Sequence, residues 1–266
     1  ASWLSERAEQ ICDNKQLSKE LFSQLGIPSP FSLLLSELDV IPDLLDNRKR
    51  MVLKPAVGTN GVGVDTKIFG AEDFRKYGIS SNQAGPFLLE EFVGGDDLRL
   101  QIIGGKIVAA CIREPAFVKG DGESTLLELI EQRRKEVHVQ NPANRLDIDE
   151  QTQALIKEQE VRLDSVIEKN IKVRLKEIAN MGQGARAFDV TDKIDPMVKK
   201  WVEVISTELQ APYFALDLIS GDISNIETYK ALELNIRAEW MHHTFSEGRT
   251  HDLAKVVIDE LFSPIE

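Results

Sequence analysis

The chain has 266 residues, 42% of them hydrophobic, and a net charge of −12. That is enough for one large or two small domains with a real core, and the negative balance argues against a nucleic-acid surface while leaving room for a local basic pocket. No apolar run approaches a membrane span and no basic-then-apolar leader is visible; two distant cysteines, Cys12 and Cys111, fit structural thiols in a reducing cytoplasm, and four histidines in no ligand spacing argue against zinc.

In chain order, 5–25 reads as one helix ended by Gly26, Pro28 and Pro30, with Lys15 and Lys19 four apart on a single face. For an isolated helix that pair reads as a solvated surface pair. Phe31 to Leu35 is a predicted strand and Glu37 to Asn47 a polar helix or loop. Met51-Val-Leu-Lys54 and Val62 to Ile68 are rich in branched apolar residues and flank Gly58, Gly61 and Gly63. Glycines let backbone N–H groups approach an anion, and Lys54 adds a point charge, so the stretch suits a polyphosphate. It lacks the Gly-Lys-Ser/Thr and following helix of a Walker loop, and it does not open a helix as a dinucleotide fingerprint does. An ordinary turn beside an exposed lysine is the plain alternative.

Ala71 to Tyr77 is a short predicted helix and Phe87 to Val93 a strand stopped by Gly94-Gly95. A hairpin follows over Leu98–Ile103 and Lys106–Ile112 around Gly104-Gly105. Thr125 or Ser124 caps a helix over Leu126 to Val137, with Glu128 as reciprocal partner if Thr125 is the cap. Asn141 to Lys169 is highly charged and helical in character, an insertion between core elements. Ile171 to Leu175 is a predicted strand, and 176–186 a second glycine-containing loop. Asp195-Pro196 opens a helix to about Leu209 with Met197, Val198, Trp201, Val202 and Ile205 as its apolar stripe.

Two late strands carry carboxylates: Phe214 to Ile219 holds Asp217, and Ala231-Leu-Glu-Leu-Asn235 holds Glu233 and Asn235. Residues two apart share a face, so Glu233 and Asn235 project together while Leu232 and Leu234 face the core. A hairpin brings Asp217 beside them. Two carboxylates and an amide oxygen suit Mg²⁺ held together with nucleotide phosphates. A half-exposed strand pair with a polar outer face is the alternative.

Glycine hairpin, double-glutamate strand and terminal Asp…Glu-x-Asn together resemble the ATP-grasp superfamily, most closely the ligase module of cyanophycin synthetases and of bifunctional glutathione synthetases. The likeness runs from about Asp13 to Gly248 and includes Asn14-Lys-Gln-Leu-Ser-Lys19, Val52-Leu-Lys-Pro55, Gly120-Asp-Gly-Glu-Ser-Thr125, Arg162-Leu-Asp-Ser165 and Asp189-Val-Thr-Asp-Lys-Ile-Asp-Pro196. The resemblance implies an α+β fold of two subdomains with mainly antiparallel sheets clasping the nucleotide. Within a single module spanning 1–266, residues 24–93 would be the lid, and 1–23 plus 94–266 the metal-binding part, with 126–170 a helical insertion.

By the same resemblance Lys15 and Lys54 would contact ATP phosphates, Gly58, Gly61 and Gly63 would close over them, and Glu90, Glu91, Phe92 and Val93 would form the hinge under adenine. Asp97 would hold the ribose. Asp217, Glu233 and Asn235 would bind Mg²⁺, or Mn²⁺ in its place. Lys176, where relatives carry arginine, and Asn180, with Gly184 in its loop, would be catalytic. Arg237 is counted with the catalytic residues and, with Arg99, Arg113 and Arg186, is a candidate for substrate carboxylates because an arginine fork matches a carboxylate; for each arginine a surface ion pair is the plainer alternative. Lys15 should point into the cleft with Lys54, Asp217 and Glu233, and its loss should matter much more than that of Lys19.

The sequence departs from the pattern: the strand expected to hold the metal runs into Ile236-Arg-Ala-Glu-Trp240 with no Pro-Gly turn, Lys176 replaces arginine and Ile178 an expected asparagine, and the domain that usually precedes the module is expected to be absent from this stretch. The implied activity is an ATP-dependent carboxylate–amine ligase working through an acylphosphate, on an amino acid or short peptide, in the cytoplasm, without nucleic acid or membrane. A homo-oligomer or a preceding domain is left open. The alternative is a nucleotide-binding module without ligase activity.

Overall fold

The computed structural model describes residues 5–36, 49–58, 62–80, 85–142, 144–236 and 238–261. The chain divides into two compact units: Ala1–Ala110 with Val190–Ala238 and Ala254–Glu266, and Cys111–Asp189 with Glu239–Leu253. Both the expected lid, 24–93, and the strands expected to bear the metal fall in the first unit. The segment from Glu37 to Asn47 lies outside the described residues.

The first unit opens with α1 (Glu6–Asp13), α2 (Lys15–Gln24), β1 (Ser32–Leu35), β2 (Met51–Pro55), β3 (Asp65–Ile68), α3 (Ala71–Ser80), β4 (Phe87–Glu91), β5 (Asp96–Ile103) and β6 (Lys106–Glu114). The second unit contributes β7 (Phe117–Lys119), α4 (Leu126–Gln140), α5 (Glu150–Glu158), β8 (Lys172–Arg174) and β9 (Arg186–Asp189). The chain then returns with α6 (Pro196–Leu209), β10 (Tyr213–Ser220) and β11 (Tyr229–Asn235), and ends with α7 (Met241–Thr244) and α8 (Leu253–Leu261). The fold is α+β, and the strand pairs whose register is resolved are antiparallel.

The single helix expected at 5–25 is two. Asn14 adopts an extended conformation, its side chain accepts from the N–H groups of Gln16 and Leu17, and its backbone bridges to Val57. An asparagine gains more as an N-cap than inside a helix, and here it also ties the start of α2 to the strand end before the glycine loop.

The first sheet has the order β1-β4-β2-β3. Met51, Leu53, Phe87 and Leu89 turn one face toward α3, joining Ile68, Phe74 and Tyr77 in a core. Strand alternation sends Lys54, Leu88 and Glu90 to the opposite face, where Glu90 is still buried. The second strand of the glycine hairpin begins at Asp65 rather than Val62, because Val62 and Gly63 form the turn. β4 ends at Glu91, two residues short of the expected Val93.

The second sheet of this unit runs β11-β10-β5-β6, with β5 and β6 joined by Gly104 and Gly105, at φ 57° and 74°. Two consecutive positive φ values are what a tight right-twisting hairpin demands. α2 packs on β11, with the β11 residue Leu234 donating its N–H to Ser18 Oγ at 3.4 Å. The same helix reaches the first sheet through Lys15 N to Ala56 O, 3.0 Å, and so spans both sheets. On α6, Val198, Val202, Ile205 and Leu209 are buried, whereas Met197, expected in the stripe, is exposed.

In the second unit β6 continues beside β9, and β7 pairs with β8. β7 and β9 carry no strand expectation from sequence, being three and four residues long. Thr125 and Glu128 form the expected capping box of α4. Among the described residues of 141–169 the α-helix is confined to Glu150–Glu158. Asp149 caps its start, and Leu146, Ile156 and Ile167 bury themselves with Leu126, Ile130, Val173 and Leu175.

Gly95, at the entry to β5, has φ 147°, and a Cβ there would run into the Ser220 carbonyl and stand 2.9 Å from Gly221 N. Gly95→Ala should therefore destabilise the fold by roughly 2 kcal/mol or more. Urea unfolding checks this; a change under about 0.5 kcal/mol would show that the strand ends can part freely.

Candidate active site

Register alone assembles the centre of the site. Arg99 on β5 lies opposite Asp217 on β10, and Asp217 lies opposite Glu233 on β11. Directly opposed residues share a face, so three strands place a cation and two carboxylates in one line. A bulge follows: Leu218 pairs with Ala231, leaving Leu232 as the extra residue. The bulge shifts the strand's phase, so Tyr229, Ala231 and Leu234 are buried while Glu233 and Asn235 stay on the Asp217 face. The expectation that Leu232 faces the core is thereby corrected; it is only half-buried.

Asn235 Nδ2 donates to Asp217 Oδ2 at 3.2 Å and to Glu233 Oε1 at 3.3 Å. The three expected metal ligands therefore converge on one point. Arg99 Nε lies 2.9 Å from Asp217 Oδ1, a charge contact without hydrogen-bond alignment. Lys15 Nζ is 3.6 Å from Glu233 Oε2 and donates to Gly58 O at 2.7 Å. Burial would raise the Glu233 pKa, but Lys15, Lys54 and Arg99 together outweigh it and hold the carboxyl below its usual range. Asp217, Glu233 and the rotatable amide of Asn235 are hard-oxygen donors of the kind that hold Mg²⁺ jointly with phosphates. The described residues contain no cluster of three or more His, Cys, Asp or Glu that would cage a metal by protein alone.

A second charged group sits between α2 and the first sheet. Lys54 Nζ is 2.8 Å from Glu90 Oε2, and Lys19 Nζ is 3.0 Å from Glu90 Oε1. The Lys19 side chain is 5% exposed and that of Lys15 13%. This overturns the reading of the two lysines as a solvated pair, and Lys19, expected to be the lesser of the two, is the more deeply placed. Helix periodicity could not find its role, because its partner lies 71 residues away, on another element.

The expected hinge is irregular after β4. Glu91 Oε1 accepts from Phe31 N at 3.0 Å, and the Arg50 guanidinium lies 3.6 Å over the Phe92 ring. Val93 is half-buried, and Asp97, also half-buried, pairs with Ile219 across β5 and β10. Gly58 and Gly63 have φ 151° and 72°, and the Tyr77 hydroxyl donates to Gly63 O. Gly61 and Arg237 lie outside the described residues.

Lys176 and Asn180 belong to the second unit. Lys176 Nζ donates to Asp149 Oδ2 at 2.5 Å. Asn180 Oδ1 accepts from Gly182 N at 2.8 Å, closing its own loop, in which Gly184 is left-handed and Arg133 Nη2 donates to Gly184 O and Ala185 O at 3.2 and 3.1 Å. Both side chains thus have local structural partners. Of the other candidate arginines, Arg186 pairs with Glu247 at 2.6 Å.

No protein-family model matches the chain. The cyanophycin synthetase of Crocosphaera subtropica is 29% identical over 270 residues, covering 96% of this chain and 31% of the relative. The glutathione biosynthesis bifunctional protein GshAB of Mannheimia succiniciproducens is 27% identical over 270 residues, covering 95% of this chain and 35% of the relative. Among solved structures, a bifunctional glutathione synthetase from Pasteurella multocida superposes with a TM-score of 0.67 at 24% identity, over 98% of this chain and 37% of that one. The ATP-grasp ligase PsnB, complexed with a phosphomimetic variant of its minimal precursor, Mg and ADP, gives 0.55 at 17% identity, over 97% and 61%.

The antiparallel sheets are those of the ATP-grasp fold, and the chain is homologous to ATP-grasp ligase domains. More particularly, it is homologous to the ligase modules of cyanophycin synthetases and of the bifunctional GshAB proteins, and it spans about a third of the length of these curated relatives. Among the described residues no helix is long and apolar enough to cross a membrane.

The Asp149–Lys176 pair yields a pH test. Burial would raise the Asp149 pKa, but donors from Lys176 and Thr152 prevail and hold it at about 2. An unfolded aspartate titrates near ~3.9, so the stabilisation is complete above that pH and is lost as pH falls through the folded value. The stability gap between wild type and Asp149→Asn should be constant at neutral pH and shrink only below pH ~4. A gap unchanged down to pH ~2 would show that the carboxylate's charge contributes nothing.

Proposed function

We propose that the chain is the catalytic module of an ATP-dependent carboxylate–amine ligase acting on an amino acid or short peptide. A substrate carboxylate oxygen attacks the γ-phosphorus of ATP and ADP leaves. The amine nitrogen then attacks the acyl carbon, phosphate departs, and the amine proton is lost to solvent or to phosphate. The observation that carries this reading is the convergence of Asp217, Glu233 and Asn235, with Arg99 and Lys15 against the two carboxylates. Homology to ATP-grasp ligases gives the class of reaction.

Bound Mg²⁺ would neutralise phosphate charge and polarise the transferred phosphoryl group. Asp217, Glu233 and Asn235 would hold it, Asn235 presenting its oxygen after rotation of the amide. Lys15 and Lys54 would face the phosphates, and the backbone around Gly58 and Gly63 would approach them. The backbone of Glu90 to Val93 would seat the adenine, the Glu90 side chain being engaged with the two lysines, and Asp97 would hold the ribose. Positioning and charge supply most of the rate in such transfers, since the protein makes no covalent bond of its own.

A second reading, a nucleotide-binding module without ligase activity, draws support from the local partners of Lys176 and Asn180. ADP release measured with each substrate class alone and with both together separates the two. Release that requires carboxylate and amine together supports the ligase; tight Mg–ATP binding with no amine-dependent turnover supports the binding module. In the ligase, Glu233→Ala should lower ADP release by roughly a hundredfold or more, because a metal-holding carboxylate is gone. Circular dichroism should stay near wild type, and near-normal turnover would remove Glu233 from the metal site.

A further inference from the structure

Glu90 is a carboxylate shared by two ammonium groups. One oxygen meets Lys54 at 2.8 Å and the other meets Lys19 at 3.0 Å, with side-chain exposures of 4% for Glu90, 10% for Lys54 and 5% for Lys19. Three buried charges are costly: each loses several kcal/mol of hydration, and well-packed apolar side chains would stabilise the same space as well or better. Stability therefore does not explain the trio.

The charge count does. Lys54 and Glu90 alone make a neutral pair, and such a pair attracts an anion weakly. With Lys19 on the second oxygen, the trio carries one net positive charge. Lys19 itself is sealed inside, so it has no exposed ammonium to offer. Lys54 is the more accessible of the two and lies on the glycine-loop strand; Lys15, one helical turn before Lys19, points at Glu233. Burial lowers the Lys19 pKa, with Lys54 adding to the effect, and Glu90 offsets only part of it.

Resting on the nucleotide reading above, we propose that Lys19 is a positioning residue for phosphate binding: it takes up the charge of Glu90 so that Lys54 presents an uncompensated positive charge to the phosphates. The residue acts through Glu90 and not by contact with the ligand.

Titration calorimetry with Mg–ATP and with adenosine, which carries no phosphate, tests this on wild type, Lys19→Met, Lys19→Arg and the double variant Lys19→Met/Glu90→Gln. Lys19→Met should weaken Mg–ATP binding by roughly tenfold or more, since Lys54 is then neutralised by Glu90, and leave adenosine within about twofold. Lys19→Arg keeps the charge and should bind Mg–ATP within about threefold of wild type. The double variant removes one positive and one negative charge together and should return to within about threefold of wild type. Should Lys19→Met fail to fold, Lys19→Gln takes its place in every comparison, and Lys19→Gln binding Mg–ATP as tightly as wild type overturns the inference.

A double variant as weak as Lys19→Met, or adenosine weakened in parallel with Mg–ATP, overturns the inference and leaves Lys19 as packing. Wild type that binds no Mg–ATP overturns the nucleotide reading and this inference with it. Wild-type binding with an unrescued double variant overturns this inference alone.

Discussion

The buried carboxylate of Glu90 is the contact on which the arrangement of the first unit turns. It belongs to β4, its partners belong to β2 and α2, and α2 also lies on β11. A carboxylate left unpaired in that position would cost more than most single interactions in the protein, so the helix and the sheet are obliged to stay together. That obligation fixes the start of α2 as well, because Asn14 bridges to Val57 and Lys15 donates to Gly58 O. The glycine loop and β11 are thereby referred to the same helix.

The second charged line obeys a different constraint. Arg99, Asp217 and Glu233 owe their alignment to strand register, which needs no long side chain to reach across a gap. Asp217 and Glu233 can sit this close because Arg99, Lys15 and the Asn235 amide share their charge. Two carboxylates so close would otherwise push one another's protons back on. The cations therefore favour the ionised carboxyl of Glu233, and on the function proposed above a divalent ion and phosphate oxygens would share the same field.

How much of this could be read from sequence divides by range. Asp217, Glu233 and Asn235 were legible because period-two alternation and a hairpin are local signals. Thr125 with Glu128 and Asp195 with Pro196 were legible for the same reason. Lys19 was not, since a lysine on an amphipathic helix reads as solvated until a distant carboxylate is placed beside it. The break at Asn14 was hidden by favourable helix residues on both sides of it. The charge-rich 141–169 looked helical by composition, but Leu146 and Ile167 follow the demands of a core that composition does not reveal. The resemblance supplied the hinge and ribose roles, which no spacing in the chain would have suggested.

The bulge at Leu232 has a consequence for how this strand can drift. In a regular strand the loss of one residue turns every side chain beyond it to the opposite face. β11 carries one residue more than its partner needs, so removing Leu232 would leave Tyr229 and Ala231 in the core and Glu233 and Asn235 toward Asp217. Removing Leu234, which lies between the two polar residues, has no such spare to draw on. The strand that bears the most exacting pair of side chains in the chain thus contains one position at which its length is negotiable, and related sequences are free to differ there by a single residue without moving the chemistry.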